Sequence, residues 1–142
     1  RVIKLSTRSR YGVRFLVDLA RHSGTASLRE VAEREGISEK YLWSMVPPLK
    51  NAGLISTARG AGGGCSLAKP AGKITLREVI AILDGGIRLA DCTMGEGGCD
   101  RVGRCGMATV WMEIEKRLEA VLEGYSIESI VQGTADIGGY CI

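Results

Sequence analysis

Three cysteines lie close together in the segment CTMGEGGCDRVGRC, which covers residues 92–105. Cys92, Cys99 and Cys105 follow the spacing C-x6-C-x5-C, and the residues between them include four glycines and almost nothing that a core would bury. Clustered cysteines in a reducing compartment more often bind a metal or react than form a disulfide framework. The segment therefore indicates a metal centre or a group of reactive thiols.

Length and composition limit the class of protein that carries these thiols. The chain has 142 residues, 45% hydrophobic and 25% charged, as in one globular domain or a small domain with an extension. Its apolar runs are far shorter than the ~20 residues that cross a bilayer. The N-terminal sequence RVIKLSTRSRYGV contains no uninterrupted apolar stretch and no signal-peptide cleavage site. We therefore expect a cytoplasmic protein without a membrane span.

The charged residues are distributed unevenly along the chain. Residues 1–80 hold 14 basic and 6 acidic side chains, a net charge of +8, whereas residues 81–142 hold 5 basic and 10 acidic ones, a net charge of −5. A basic half joined to an acidic half is typical of a polyanion-binding module attached to a segment that does not contact the polyanion. The uneven charge favours nucleic acid as a partner and argues against an adaptor that only dimerises.

The basic half contains the sequence pattern of a helix-turn-helix. Apolar residues recur at helical spacing across residues 6–22, and Gly24 follows this first helix. SLRE at residues 27–30 is a capping box that opens a second helix, which we predict to end near residue 35. GIS at residues 36–38 then supplies a tight turn and a serine that caps the next helix. Two short helices across such a turn are typical of DNA-binding proteins.

The helix after the GIS turn, with the sequence EKYLWSMV, is the predicted recognition helix. Its apolar residues suit the core, and the polar and aromatic residues between them suit the major groove of DNA. The candidate DNA-binding residues here are Ser38, Lys40, Tyr41, Trp43 and Ser44. Because a proline inside a helix costs about 3 kcal/mol, Pro47 and Pro48 predict a break near residue 46 and a new short helix over residues 48–52.

The sequence LISTARGAGGGCSLAKP predicts a strand, a glycine-rich turn and a second strand, with the strands at residues 54–57 and 65–68. Such a hairpin is the wing of a winged helix, whose tip can reach a minor groove while glycines let the backbone approach phosphate. The candidate DNA-binding residues of the wing are Arg59, Gly60, Gly62 and Gly63. A nucleotide phosphate loop is the alternative, but no GKS or GKT ends the turn and no helix follows it.

The acidic half predicts a dimer. TLRE at residues 75–78 is a second capping box, opening a helix that ends near residue 84. Beyond the cysteines, apolar residues spaced 4, 3, 4, 3 and 4 form a stripe on a helix of about eighteen residues. These residues are Met107, Trp111, Ile114, Leu118, Val121 and Tyr125. The stripe packs either on its own domain or on a second copy, and we predict a homodimer in which the first five form the seam.

We therefore predict a mainly α fold with a small β wing. The predicted divisions are a winged helix-turn-helix domain at residues 1–84, a cysteine loop at residues 85–106, and a dimerisation helix with a C-terminal segment at residues 107–142. An enzyme is disfavoured because the chain has one histidine, no nucleophile-base motif and no cofactor fingerprint.

The order of LSTRSRYGVRFLVDLA, GISEKYLWSMVPPLKNAGLI, RGAGGGCSLAKP and three spaced cysteines resembles the Rrf-type winged-helix transcriptional regulators, which include IscR, NsrR and RirA. The resemblance implies a homodimeric DNA-binding regulator, usually a repressor of a palindromic operator. It also implies an iron-sulfur cluster, 2Fe-2S or 4Fe-4S, that senses iron, redox state, oxygen or nitric oxide. By position, Cys92, Cys99 and Cys105 match the cluster ligands, Tyr41 the recognition helix, and Arg59 the wing arginine.

The chain departs from the family pattern at several positions. Ala108 stands where IscR has a histidine, and Arg10 stands where NsrR uses an aspartate, so the fourth cluster ligand is open. Trp43 replaces the glutamate that tunes promoter choice in IscR, which predicts a different base preference. A thiol-disulfide switch or a zinc site is the alternative sensor, although zinc sites usually contain closer cysteine pairs than this loop offers.

Overall fold

Helices dominate the computed structural model, which describes residues 2–93 and 106–137. Within these residues the chain forms α1 (Thr7–Arg21), α2 (Leu28–Glu35), α3 (Glu39–Asn51), β1 (Ile55–Ala58), β2 (Gly64–Leu67), α4 (Leu76–Asp84), α5 (Gly106–Glu123) and α6 (Ile127–Ile137). Short 3₁₀ turns lie at Ala71–Lys73 and Asp91–Thr93. The two strands pair antiparallel. The prediction of a mainly α fold with a small β wing is confirmed.

Side-chain caps start the first three helices at the predicted residues. Ser6 caps α1 by accepting a backbone N–H bond. Ser27 and Glu30 form the complete capping box of α2, in which each side chain accepts a bond from the other residue's backbone. Gly36 ends α2 in a left-handed conformation with φ 65°, and Ser38 caps α3. The helix-turn-helix therefore forms from these local signals as predicted.

The core lies around α1, which packs against α2, α3, α4 and α6. Fully burying a large apolar side chain stabilises the fold by about 1.5–3 kcal/mol. The largest apolar side chains that are fully buried are Phe15, Leu16, Val17, Val31, Leu42, Met45, Leu49, Leu54, Ile74, Val79 and Ile127. Most of them belong to the basic half, so the DNA-binding motif rests on the main core.

The helix α6 adds to the prediction, which left the end of the chain as an unassigned segment. Ser126 and Ser129 cap its first turn, since each hydroxyl oxygen accepts the backbone N–H of the other residue. Ile127 at its start is fully buried, and α6 packs on α1. The helix α6 therefore returns the chain to the helices of the basic half.

A buried ion pair joins α1 to α2. Asp18 is 1% exposed, and both of its carboxylate oxygens accept bonds from Arg34, at 2.7 Å from Nη2 and 3.0 Å from Nε. This bidentate geometry gives the buried charge the hydrogen bonds that it needs. The Asp18 carboxylate in turn raises the pKa of Arg34, mainly through this hydrogen bond. The ion pair between Asp18 and Arg34 therefore fixes α2, the first helix of the helix-turn-helix, to α1.

The two prolines do not break α3, and the prediction of a break followed by a new short helix is wrong. α3 runs through Pro47 and Pro48 without interruption. Because Pro48 has no N–H, the carbonyl of Ser44 one turn earlier has no helical donor. Arg8 on α1 replaces it, since its Nη2 donates to that carbonyl oxygen at 3.4 Å. Four buried side chains of the same helix hold it against the core, and this packing outweighs the local cost of the prolines.

The wing forms at the predicted place, with its strands shifted by about one residue. β1 pairs with β2 in the register Ile55 to Leu67 through Ala58 to Gly64. Cys65 in β2 is 2% exposed, and its backbone exchanges two hydrogen bonds with Ala26, at 2.7 and 2.9 Å. The hairpin is therefore fixed to the chain just before α2, with Cys65 packed beneath it.

The helix α4 matches its predicted bounds, but only half of its predicted capping box forms. Thr75 accepts the backbone N–H of Glu78 at 3.1 Å. The carboxylate of Glu78 turns instead to Lys69, whose Nζ donates to both oxygens at 2.9 and 3.1 Å. A tertiary ion pair thus replaces the local bond that the TLRE sequence predicted.

Candidate nucleic-acid interface and cysteine loop

The candidate groove-contacting residues share the outer face of α3. Lys40, Trp43 and Ser44 are exposed, and Tyr41 is half-buried. Trp43 is 56% exposed, although tryptophan side chains are on average largely buried in folded proteins. Ser38 is also exposed, although its hydroxyl oxygen is occupied as the cap of α3. The structure therefore brings all five candidates of this helix to one surface.

The half-buried Tyr41 is held in place by an aromatic contact with α1. Its ring meets the ring of Tyr11 edge to face. The guanidinium carbon of Arg14 lies 5.5 Å from the centre of the Tyr11 ring, on its face. Arg14 also pairs with Glu35, through Nε to the carboxylate at 3.3 Å and through Nη2 to the backbone carbonyl. Arg14 and Tyr11 are contributions that the sequence pattern did not single out.

A cleft of about 700 Å³ separates α3 from the wing. Trp43 and Pro47 form an apolar part of its lining, and Arg29, Lys50 and Arg59 supply positive charge. Lys50 connects the two sides, because its Nζ donates to Thr57 Oγ1 of β1 at 2.8 Å. The cleft thus combines flat apolar surface with cations, the two kinds of contact that base edges and phosphates require.

The tip of the wing has backbone conformations that only glycine adopts easily. Gly60 and Gly62 have φ of 89° and 78°. A Cβ at Gly63 would lie 2.5 Å from the carbonyl oxygen of Ala58, so a side chain there would displace the turn. Arg59 is exposed beside them. The structure therefore places the four wing candidates together at an exposed tip, next to the face of α3 that carries the recognition candidates.

The cysteine loop is described only at its base. Cys92 lies in the 3₁₀ turn Asp91–Thr93, whereas Cys99 and Cys105 lie outside the described residues. In the part of the chain that the structure does describe, no three His, Cys, Asp or Glu side chains come together as a metal site. The predicted ligand set therefore remains a prediction.

The other thiol in the described region is the one that packs beneath the wing. Burial raises the pKa of the Cys65 thiol above its ordinary value of 9.0, with an opposing effect from Lys50. A buried thiol that stays protonated is a poor nucleophile and a poor ligand. Cys65 is 2% exposed and packs in the core as a small apolar residue would.

An acidic residue immediately before the cysteine loop contacts the first helix. Asp84, the last residue of α4, accepts bonds from the hydroxyls of Ser6 and Ser9, both at 2.5 Å. Ser9 is fully buried, and Ser6 is the cap of α1. The same end of α1 carries Arg8, which contacts the recognition helix. The base of the loop is thus connected through α1 to α3.

The predicted dimerisation stripe is largely uncovered within this chain. Met107, Ile114, Leu118, Val121 and Tyr125 are 38% to 59% exposed, and Trp111 is half-buried. The stripe borders an apolar cleft of about 380 Å³ whose lining includes Ile3, Leu5, Ile80, Leu118 and Val121. Within the described residues the stripe is therefore only partly covered by its own domain, and both alternatives for its packing remain open. Apolar surface of this extent is typical of an interaction site.

Known proteins resemble this chain over most of its length. A family model described as Rrf2, iron-dependent transcriptional regulator, matches residues 5–133. The HTH-type transcriptional regulator IscR of Xenorhabdus nematophila is 35% identical over 132 residues, which cover 92% of this chain and 80% of that protein. The structure of T. potens IscR has a TM-score of 0.79 at 30% identity, covering 99% of this chain and 94% of its own. The oxidized form of Staphylococcus aureus CymR has a TM-score of 0.68 at 30% identity, covering 91% and 96%.

The match includes the helix-turn-helix, the wing, the cysteine segment and the long helix α5. None of the helices in residues 2–93 and 106–137 is long and apolar enough to cross a membrane. The resemblance that the motif order indicates is confirmed, and with it the winged-helix fold. The chain belongs to the Rrf2 family of transcriptional regulators.

Proposed function

We propose that this protein is a homodimeric transcriptional regulator, a repressor, whose affinity for a palindromic operator is controlled by an iron-sulfur cluster on Cys92, Cys99 and Cys105. The observation that carries the proposal is the connection of the loop base to the recognition helix through α1. Asp84 holds α1 at Ser6 and Ser9, and Arg8 between them donates to α3. A change in the loop can therefore reach the surface that contacts DNA.

The proposed DNA contacts divide into two classes. Lys40, Ser44 and Trp43 on α3 are placed to contact base edges in the major groove, with Tyr41 and Ser38 at the start of the helix. Arg59 and the wing glycines contact phosphate or the minor groove, where a cation and a closely approaching backbone contribute affinity. Trp43 and Pro47 offer apolar surface at positions where a polar side chain would form hydrogen bonds with base edges. We therefore expect an operator different from that of IscR, and a selection that returns the IscR site would contradict this.

The proposed dimer is supported by the exposed stripe on α5. Leu118 and Val121 lie beside the apolar cleft against Ile3 and Leu5, so a second copy of α5 would cover a continuous apolar surface. Obligate homodimer interfaces have this apolar character. Two copies related by a two-fold axis would present their recognition helices to half-sites one helical turn apart, about 34 Å.

The donor set fits an iron-sulfur cluster by its chemistry. Three cysteines within fourteen residues provide soft thiolate ligands, and the intervening glycines leave the backbone free to turn its N–H groups toward sulfide. Arg101 and Arg104 in the same segment would offset the negative charge of thiolates. A bound cluster supplies a redox-active iron centre, and three thiolates leave one position for a weaker ligand. Such a site is suited to a sensor because it loses iron more readily than a four-cysteine site.

The visible absorption spectrum and iron and sulfide content of anaerobically purified protein test the cluster. We expect a brown protein that Cys99→Ala bleaches and Cys65→Ala does not, because Cys65 is buried beneath the wing. Fluorescence anisotropy with selected operator DNA then tests control of binding. Equal operator affinity with and without the cluster would contradict the regulatory part of the proposal.

A thiol-disulfide switch on the same cysteines is the second candidate, favoured by the similarity to CymR solved in an oxidized form. In this case the protein would be colourless, and an oxidant would change its operator affinity in the absence of metal. Dithiothreitol would restore the reduced affinity through thiol exchange. A zinc site is the third alternative. Zinc analysis of the same preparation distinguishes it from the iron-sulfur cluster and from the thiol-disulfide switch.

A further inference from the structure

The helix α5 buries a carboxylate while it exposes its apolar residues. Of its described residues, Ala108 and Glu115 alone are buried, seven positions apart on one face, and Glu115 is only 6% exposed. Meanwhile Val121 on the same helix is 59% exposed. Burying a carboxylate is unfavourable unless hydrogen bonds compensate for the lost hydration. The hydrogen bonds of Glu115 therefore show which groups compensate for its burial.

Among the residues that the structure describes, both contacts of Glu115 go to the chain around Cys92. The backbone N–H of Leu89 donates to Glu115 Oε1 at 2.6 Å. The hydroxyl oxygen of Thr93 lies 2.5 Å from the same oxygen and 2.8 Å from the carbonyl oxygen of Ala90, so its single proton is shared between these two acceptors. These two donors lie three residues before and one residue after Cys92. The N–H of Thr93 also donates to the carbonyl of Ala90 at 3.1 Å, which closes the turn between them. One carboxylate oxygen thus fastens the short segment that contains Cys92.

A neighbouring ion pair supports the same segment one helical turn further along α5. Glu119 approaches Arg88 at 3.6 Å and Arg77 of α4 at 3.5 Å. The side chains of Arg77, Arg88 and Glu119 are partly exposed, so water screens these ion pairs and each contributes little. Among the described contacts, Glu115, which is buried and accepts through Oε1, is the main attachment of this segment to α5.

We infer that Glu115 is the positioning residue for Cys92, holding the first cysteine of the loop at a fixed place on α5 whether or not anything is bound to it. Its exposed neighbours on α5 form the stripe that we assign to the dimer seam. A displacement of the segment around Cys92 would therefore be transmitted to the seam helix through Glu115. This second step, unlike the positioning itself, rests on the proposed function.

Hydrogen exchange of the Leu89 amide, measured by NMR on the reduced, metal-free, DNA-free full chain, tests the positioning directly. We expect exchange at least tenfold faster in Glu115→Leu, because Leu89 loses its acceptor. Glu115→Gln should restore protection, since an amide oxygen still accepts both bonds. Glu113→Leu is the matched control, because Glu113 is exposed on the same helix and pairs only with Arg117 in the described contacts. An unchanged Leu89 rate in Glu115→Leu would overturn the inference.

A second readout separates positioning from general stability. The rate of N-ethylmaleimide modification is measured at Cys92 and at the buried Cys65 by peptide mass spectrometry. We expect Glu115→Leu and Thr93→Val to raise the Cys92 rate at least threefold while Cys65 stays at its wild-type rate. A parallel rise at both cysteines would show that Glu115 only stabilises the fold, and would overturn the positioning role. Since neither readout uses cluster or DNA, failure of the proposed function leaves the test intact.

Discussion

The ring of Tyr11 on the first helix meets the ring of Tyr41 on the recognition helix edge to face, with centroids 5.7 Å apart and planes at 83°. This geometry directs the positive ring edge of one tyrosine toward the negative face of the other. Tyr41 is the only aromatic recognition candidate that is not mainly exposed. The pair therefore couples the orientation of the recognition helix to α1, the helix that also contacts the base of the cysteine loop.

Replacing Tyr11 by alanine should weaken DNA binding although Tyr11 itself does not lie on α3. An aromatic pair contributes about 0.5–1.5 kcal/mol beyond its buried area, so we expect operator affinity to fall up to about tenfold. Tyr11→Phe keeps the ring and should bind within twofold of wild type. Fluorescence anisotropy measures affinity, and circular dichroism verifies that both variants are folded. Equal affinities for Tyr11→Ala and wild type would refute the coupling.

The buried pair of Asp18 and Arg34 should respond asymmetrically to truncation. Arg34→Ala leaves the Asp18 carboxylate buried and unpaired, and we expect a loss of about 3–5 kcal/mol in unfolding free energy. Asp18→Ala should cost less, because the Arg34 side chain is already 32% exposed and can reach water. Urea denaturation of both variants gives the comparison. If Asp18→Ala lost more unfolding free energy than Arg34→Ala, the access of the remaining charged side chain to water would not be what determines the cost.

Glycine replacements in the wing and in α1 should differ because of what the new Cβ meets. At Gly64, where φ is 145°, a Cβ would lie 2.1 Å from the backbone oxygen of Ala26, so we expect Gly64→Ala to cost about 3 kcal/mol or more. At Gly12 the nearest atom is Cδ1 of the buried Leu83, at 2.2 Å, which can shift more easily than backbone, so Gly12→Ala should cost less than Gly64→Ala, about 1–3 kcal/mol. Gly60→Ala, with open space but φ 89°, is the control for backbone strain alone. Thermal unfolding ranks the three.

The pH dependence of stability should include a contribution from Glu35 that opposes folding when it ionises. Burial raises the pKa of Glu35 above its ordinary 4.5, repulsion from Asp18 raises it further, and Arg14 opposes the rise. The folded state therefore binds the proton more tightly than the unfolded state, so this contribution is favourable below pH 4.5 and is lost as pH rises through the raised pKa. Relative to Glu35→Gln, the wild type should lose stability as the pH rises from about 4.5 through the raised pKa of Glu35. Urea midpoints at several pH values measure the difference, which a flat profile would contradict.

A charge placed in the α5 stripe should dissociate the proposed dimer without unfolding the chain. Val121→Glu puts a carboxylate into the seam but costs the isolated chain little, because Val121 is 59% exposed there. We expect a monomer by analytical ultracentrifugation and operator affinity reduced more than tenfold, since each half-site then binds alone. Ala120→Glu adds the same charge at an exposed position beside the stripe and should remain dimeric. If Val121→Glu and Ala120→Glu both remained dimeric, the two subunits would contact each other at a surface other than the stripe.

Local signals in the sequence determined the elements of the DNA-binding half. Ser27 with Glu30, Gly36 and Ser38 act within one turn of the backbone, so their effects can be read without knowing the fold. The wing followed from its glycines for the same reason. The apolar stripe of α5 was also evident, because helical spacing is a property of the sequence. These features identified the family and the candidate contact surfaces.

Tertiary structure decided whatever depends on groups distant in sequence. Pro47 and Pro48 predicted a broken helix, but Arg8 supplies the missing donor for Ser44 and core packing keeps the helix continuous. The carboxylate of Glu78 accepts bonds from Lys69 and not, as the capping box predicted, from the backbone N–H of Thr75. Glu115 reads in sequence as one more surface carboxylate, and its bonds to Leu89 and Thr93, 26 and 22 residues away, exist only in the folded chain. Hydrogen bonds and packing across such separations depend on how helices are arranged, which no local residue pattern encodes.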